Sequence, residues 1–433
     1  MKRVTSLAAA VTAACMSFAA GSALAATEAE KRAAIDAGLA HLASTQSASG
    51  YFGGGGTDYL IANTGSALLA FLEEKPNWGA NATAYQQVVD NGLSYLMSQV
   101  SVVGISPQGP GGINNPDGDG NGVGIKFYPG GANNRDTYIT GIVLPAIASS
   151  GTPDALVTSG ALAGRTDGSG AGGAWTYQDV VQNTIDYFAY GQNEDGGWRY
   201  FANYGGSDQS TAQWPVISAL YAGKMGVTMP EFVKTELAKW TDYIQNDSTG
   251  AAGYDGPNSA YGEMNETGAL LIMQDYLNWP SADDRVEKAL AYINTHWQET
   301  ANNTYDGNFG HPYAMWALYK GLELRLGTDA ATSIISNLRP GNCGDNVDNP
   351  DHGCNWFEDY AQYLVSTQNA DGSWSGYSNW NAGLATPWYI NILAATQIPD
   401  NDDDNSVPEP ATLSLLAAGL LGALRIRRRR QVV

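Results

Sequence analysis

The feature that most constrains this chain is a glutamine that returns at one distance. Gln46, Gln99, Gln192, Gln245, Gln298 and Gln368 are separated by 53, 93, 53, 53 and 70 residues. Three gaps are identical, and the other two exceed that period by 40 and 17, as insertions do. A fixed period of this length means repeated supersecondary units that stack on one another. The best-kept copies run from Gln368 through Asp371-Gly372-Ser373 to Trp374, and from Gln192 through Asp195-Gly196-Gly197 to Trp198. A degraded copy runs from Gln46 through Gly50 to Phe52.

Each unit reads as helix, Gly-rich loop, helix. The first helices carry apolar residues at helical spacing, as in Ile35, Leu39 and Leu42 or Leu237, Trp240 and Ile244. Lys31, Lys234, Lys239, Glu287 and Lys288 are left for their solvent faces. The second helices are expected to begin near Asn63, Asp136, Asp208, Asn265, His311 and Ala385. They are apolar nearly all round, which is the mark of helices buried on several faces. Their polar starts suit N-capping, where a side-chain oxygen accepts from an otherwise unpaired first amide. Pro312 and Pro387 fit a first helical turn, where no amide donor is needed. Six buried helices inside six amphipathic ones make an all-α double ring, an (α/α)6 toroid over residues 26–398.

The Gln-x-x-Asp-Gly-(Ser/Gly)-Trp motifs at Gln368–Trp374 and Gln192–Trp198 resemble the repeats of prenyltransferases, squalene-hopene cyclases and terpenoid cyclases. The resemblance covers roughly residues 30 to 396 and implies the α/α toroid. It implies structural roles for the motif: Gln192 and Gln368 cap helix ends, and Trp198 and Trp374 pack against the next unit. It does not bring the chemistry with it. No Asp-x-Asp-Asp lies at a helix start, and Asp402-Asp403-Asp404 sits in the tail. No Asp-x-Cys precedes a second helix, as a prenyltransferase zinc site requires. Terpenoid cyclisation and prenyl transfer are therefore disfavoured.

The two ends carry an address. Lys2-Arg3, the apolar run Leu7 to Ala20 and the A-x-A site Ala23-Leu24-Ala25 read as a signal peptide over residues 1–25. Behind the repeats, residues 399–406 form an acidic, solvated linker. Pro408-Glu409-Pro410 follows, then an apolar run over 411–424, then Arg425 and Arg427 to Arg430. This resembles the PEP-CTERM sorting signal of exopolysaccharide-producing Gram-negative bacteria. The resemblance implies exosortase as a partner, a transient hold on the inner membrane, and delivery to the cell surface or extracellular matrix, with exopolysaccharide as a neighbour. An apolar helix of this length spans about 21 Å, short of a hydrocarbon core of about 30 Å. The arginines would keep its end cytoplasmic.

Formal net charge is −21, and all but one of the charges in the two terminal segments are basic, so the mature chain is more acidic still. That excludes nucleic acid as a partner and favours cations. Cys15 leaves with the signal, so Cys343 and Cys354 remain as a pair in an oxidising compartment. A disulfide between them would add about 3 kcal/mol by closing a short loop. A zinc site with His352 matches no standard ligand spacing.

Asp117-Gly118-Asp119-Gly120-Asn121-Gly122 has oxygen ligands at alternate positions and glycine at the sixth. It reads either as the first half of a Ca2+ loop, with Asp117, Asp119 and Asn121 as ligands, or as a plain Asp/Gly turn. Its twelfth position is Tyr128 rather than a bidentate Glu. Asp345, Asp348 and Asp351 make a second acid-rich loop.

Asp136, Asp208, Glu266 and His311 fall at second-helix starts, which in a toroid face one rim of the central cavity. Two carboxylates across a cleft serve as acid and base in glycoside chemistry. Acids at helix starts also serve as caps and favour the helix dipole. The expectation is an exported matrix or envelope protein that binds glycan or calcium, with a polysaccharide hydrolase or lyase as the alternative.

Overall fold

Among the described residues, twelve α-helices alternate between two kinds of burial. The structure, a computed structural model, describes residues 25–109, 112–128, 135–259, 261, 263–302, 304–328, 334–339 and 355–397. The signal segment, Cys343, Cys354, the Asp345–Asp351 loop, the linker and the tail with Pro408, Glu409, Pro410 and the run 411–424 lie outside the described residues. Among the described residues no helix is long and apolar enough to cross a membrane.

The first helix of each unit is α1 (Glu28–Thr45), α3 (Ala82–Ser98), α5 (Tyr177–Gly191), α7 (Glu231–Ile244), α9 (Asp284–His296) and α11 (Trp356–Thr367). The second is α2 (Thr57–Glu73), α4 (Asp136–Ser149), α6 (Gln209–Ala222), α8 (Glu263–Tyr276), α10 (Pro312–Leu326) and α12 (Ala382–Leu393). In α7 only Val233, Leu237, Trp240, Thr241 and Ile244 are buried, one stripe as the pattern predicts. In α6 every residue from Thr211 to Ala222 is buried. The even helices pack in the order α2, α4, α6, α8, α10, α12, and α12 returns to α2. The molecule is an (α/α)6 toroid. Where α8 crosses α10 the backbones nearly touch: a Cβ on Gly268 would stand 2.6 Å from the Ala317 carbonyl carbon.

The repeating glutamine explains its own period. At Gln46, Gln192, Gln245 and Gln368 the backbone leaves the helix in extended conformation. Each side-chain amide then donates twice. Gln192 reaches Gly196 O at 2.8 Å and Val233 O at 3.0 Å. Gln368 reaches Gly372 O at 2.9 Å and Ala34 O at 2.8 Å. Gln46 and Gln245 bond Val88 O and Arg285 O in the same way. The first bond ties the turn, and the second ties the next outer helix. The turn glycine must be glycine on two counts. Gly372 has φ +87°, and a Cβ there would lie 2.3 Å from Ala37 O, one turn along from Ala34. Trp198 and Trp374 donate to their own outer helices, at Phe188 O and Leu364 O, both at 2.8 Å. Trp374 also lies against α1, beside Gly38.

Gln99 and Gln298 do not follow. Gln99 donates only to its neighbour Ser98, because the chain turns into a hairpin of β1 (Val100–Gly104) and β2 (Val123–Phe127). These pair antiparallel with Val100 opposite Phe127. Gln298 bonds Asn337 and Leu338, residues of the insertion that precedes α11. Three helix starts also move. The N-cap of α2 is Gly56, which offers no side chain, so the helix begins at Thr57 rather than near Asn63. α8 begins at Glu263, two residues before the expected Asn265. Asn381 caps α12 by accepting from Leu384 N, which places Pro387 inside the helix, as Pro145 and Pro215 are in theirs. Lys31 is buried rather than solvated, held between Glu28 at 2.6 Å and Glu358 at 2.8 Å where the ring closes.

Candidate functional site

A cavity of about 360 Å³ opens where the inner helices begin. Its wall is aromatic. Tyr313 stacks on Trp380 with ring centroids 5.1 Å apart, and Tyr138 stacks on Tyr313 at 6.3 Å. Tyr200 and Tyr254 join through their hydroxyls at 2.6 Å. Tyr261 and Tyr305 stand exposed beside them at the edge. Polar groups are few: Asp58, Arg135, Ser210, Asn265, Glu266 and Asn379.

Of the four residues expected at this rim, Glu266 alone lines the cavity. It sits in the first turn of α8 and is 2% exposed. Asn265 Nδ2 donates to its Oε1 at 3.2 Å. Its Oε2 is buried and has no hydrogen-bond partner among the described residues. Burial, and then the charges of Asp208 and Asp306, hold its carboxyl well above the usual carboxylate range. Burial thus favours the protonated form of Glu266, the form that can give a proton.

The other three do not line the cavity. Asp208 is the N-cap of α6 and accepts from Thr211 N at 2.8 Å. Arg199 lies 3.5 Å from it and spreads over Tyr200, Tyr204 and Tyr254, so Asp208 supports the wall from behind. Asp136 begins α4 and pairs with Lys126 of β2 at 2.6 Å. His311 is the N-cap of α10, where Nδ1 accepts from Ala314 N at 3.3 Å. Its ring packs on Trp380 at 4.7 Å, and burial lowers its pKa to about 4, so it is neutral. Asp208 and His311 went to caps because a carboxylate or neutral imidazole aligned with the first amides bends back toward its own helix.

The second acid in the cavity is Asp58, in the first turn of α2, with Arg135 3.7 Å away. The sequence reading missed both. Starting α2 six residues late left Asp58 in a loop, and only Asp58 following a glycine run could have hinted at the helix start.

The Ca2+-like loop folds differently from its expected ligand set. Asn121 turns its oxygen to Val123 N at 2.9 Å and its amide to Asp119 and Asn183. Asp117 and Asp119 instead meet Asp186 of α5, one oxygen of each lying within 4.8 Å of the others. Burial, with the charges of Asp119 and Asp117, pushes the Asp186 carboxyl up to about 7.

Residues 406–430 match the PEP-CTERM protein-sorting motif. The chain carries a PEP-CTERM sorting signal. It is an exported, surface-directed protein. A search of curated proteins found no match. Among solved structures, the chain is similar to the GH76A α-1,6-mannanase from Salegentibacter sp. HEL1_6, at 10% identity and TM-score 0.50 over 84% of this chain and 98% of that one. It is similar to a family 76 glycoside hydrolase from a bovine Bacteroides thetaiotaomicron strain, at 10% identity and TM-score 0.51 over 84% and 77%. The type II terpene cyclase MstE from Scytonema aligns at 12% identity and TM-score 0.48 over 85% and 98%. At such identities the likeness is one of fold.

Proposed function

We propose that the cavity is a carbohydrate site and Glu266 its proton donor, which makes this PEP-CTERM protein a glycoside-cleaving protein of the cell surface. The observation that carries the reading is a buried carboxyl with an unpartnered oxygen in an aromatic-walled cavity, where burial favours its protonated form. Aromatic faces offer flat apolar surface to a sugar ring, and hydroxyl and amide groups at the edge recognise its oxygens. Glu266 would protonate the leaving glycosidic oxygen. Asp58 is the complementary carboxylate, to activate water or to answer positive charge on the ring.

A second reading, binding without cleavage, has its own support. Asp58 is paired with Arg135 at 3.7 Å, so its carboxylate is engaged rather than free to activate water. In that case the toroid holds exopolysaccharide in the matrix. Exosortase processing of the tail fits both readings.

The test is to incubate the purified chain with the host's exopolysaccharide and with α-1,6-mannan, and to follow polymer size by chromatography. Cleavage is expected, and Glu266→Gln is expected to lower its rate at least 100-fold, within the usual range for a lost general acid. Co-elution at unchanged size supports the binding reading. If neither occurs, the carbohydrate assignment fails.

A further inference from the structure

The hairpin loop and outer helix α5 meet at three carboxylates that nothing in the cavity uses. We infer that Asp117, Asp119 and Asp186 form a binding site for one hard divalent cation, calcium by preference, which fastens the hairpin insertion to the toroid.

One oxygen from each carboxylate lies within 4.8 Å of the other two, the spread of ligands around a single ion. Calcium binds oxygens at 2.3–2.6 Å, so oxygens on a common ion are separated by about this much or less. A cluster of acids on a surface would not by itself say more. The second observation is Asp186. It is 0% exposed, and its Oδ2 has no hydrogen-bond partner among the described residues. No Lys, Arg or His pairs with any of the three carboxylates among those residues. A buried carboxylate oxygen facing two further acids is costly unless a positive group meets it.

The remaining contacts hold the three carboxylates in place, and Asp119 accepts from Asn121 N at 3.1 Å and from Asn121 Nδ2 and Asn183 Nδ2, both at 2.9 Å. Asp186 Oδ1 accepts from Gly118 N at 3.0 Å and Gln182 Nε2 at 2.9 Å. Asp117 accepts from Gly120 N and Gly122 N, both at 2.9 Å. These donors fix the carboxylates in direction. The donor set is oxygen only and carries no nitrogen or sulfur, which selects a hard cation over zinc or copper. The acid missing at the loop's twelfth position is supplied from α5. Such a cation would act at a distance too. The hairpin it fastens carries Lys126, which holds Asp136 at the start of α4, two residues before the cavity's Tyr138.

The test uses the full chain, stripped with EDTA and titrated with CaCl2 by calorimetry, with MgCl2 in parallel. One Ca2+ per chain is expected, with Kd on the order of 10⁻⁶ to 10⁻³ M. Saturating Ca2+ should raise Tm by a few degrees, since an ion that binds only the folded state stabilises it by mass action. Asp186→Asn should weaken binding at least tenfold and abolish the Tm shift. The ion-free variant should unfold no earlier than the stripped wild type, because its amide can donate to the two loop carboxylates. Asp119→Asn, at an exposed position, gives the same reading if Asp186→Asn does not fold. No heat of binding from the stripped wild type, or equal binding in both variants, overturns the site. Tighter binding of Mg2+ than Ca2+ overturns the choice of calcium.

Discussion

His311 and Glu266 are both buried beside the cavity, and their protonation runs in opposite directions. The His311 ring is held to a pKa of about 4, below its ordinary 6.5, by burial. Between these values the unfolded chain takes up a proton that the folded ring refuses. Stability is thus lost as pH falls from about 6.5 to about 4, by up to about 3 kcal/mol. His311→Asn keeps an acceptor for Ala314 N and removes the titration. Urea midpoints at pH 4.5 and pH 7 should therefore differ less in the variant than in wild type, and an equal difference would refute the neutral cap. Glu266 is raised instead, so its share of stability is present in acid and falls as pH rises above the ordinary carboxylate range. At this scale the caps at Asp208 and His311 were legible because a cap is a local matter of one side chain and three amides. The acid pair of the cavity was not, because Asp58 and Glu266 come from helices more than 200 residues apart in sequence.

The outer helices are joined by one device, which predicts which glutamines matter. Gln368→Ala removes two hydrogen bonds, to Ala34 O and Gly372 O, at about 1 kcal/mol or more for each bond. A loss of about 2–3 kcal/mol in chemical denaturation is expected. Gln99→Ala should cost under about 0.5 kcal/mol, because Gln99 bonds only exposed Ser98. Equal losses at both positions would mean that the period has no mechanical basis. The same device explains why architecture could be read so far. Glutamine, turn glycine and neighbouring helix stand in fixed register, so the spacing survives as a period. A further tie was hidden: Thr64, Thr140, Thr267 and Thr386 each accept the backbone N–H of Phe52, Phe127, Ala252 or Trp374. Each threonine joins an inner helix to the chain before it, but loops of unequal length blur the spacing between partners. Proline misled in the same way. Pro387 resembles a helix start, yet Asn381 had already begun the helix, and the packed inner ring tolerates the bond that the proline removes.

Closure of the ring separates this molecule from an open array of the same units. In an open solenoid each repeat touches only its neighbours, and loss of an end unit subtracts one share of stability. Here the first and last units are neighbours. Gln368 bonds Ala34, Gly372 rests on Ala37, and Lys31 pairs with Glu358. Ile390 of α12 and Trp374 of the turn before it also reach α1, where they fill the space left by Gly38. Removing α1 therefore strips cover from α11 and α12 at one end of the sequence and from α2 at the other. A chain beginning at Ser47 is expected to lose its sharp thermal transition and its near-ultraviolet circular dichroism while keeping helix content in the far ultraviolet. An open array would instead keep a sharp transition at a slightly lower temperature, and that outcome would show that closure adds little. The cavity depends on the same seam, because Leu384 and Trp380, on and beside α12, face it together with Asp58 and Ala62 of α2. Loss of α1 should thus weaken the glycan binding proposed for this cavity even though α1 contributes no residue to its described wall.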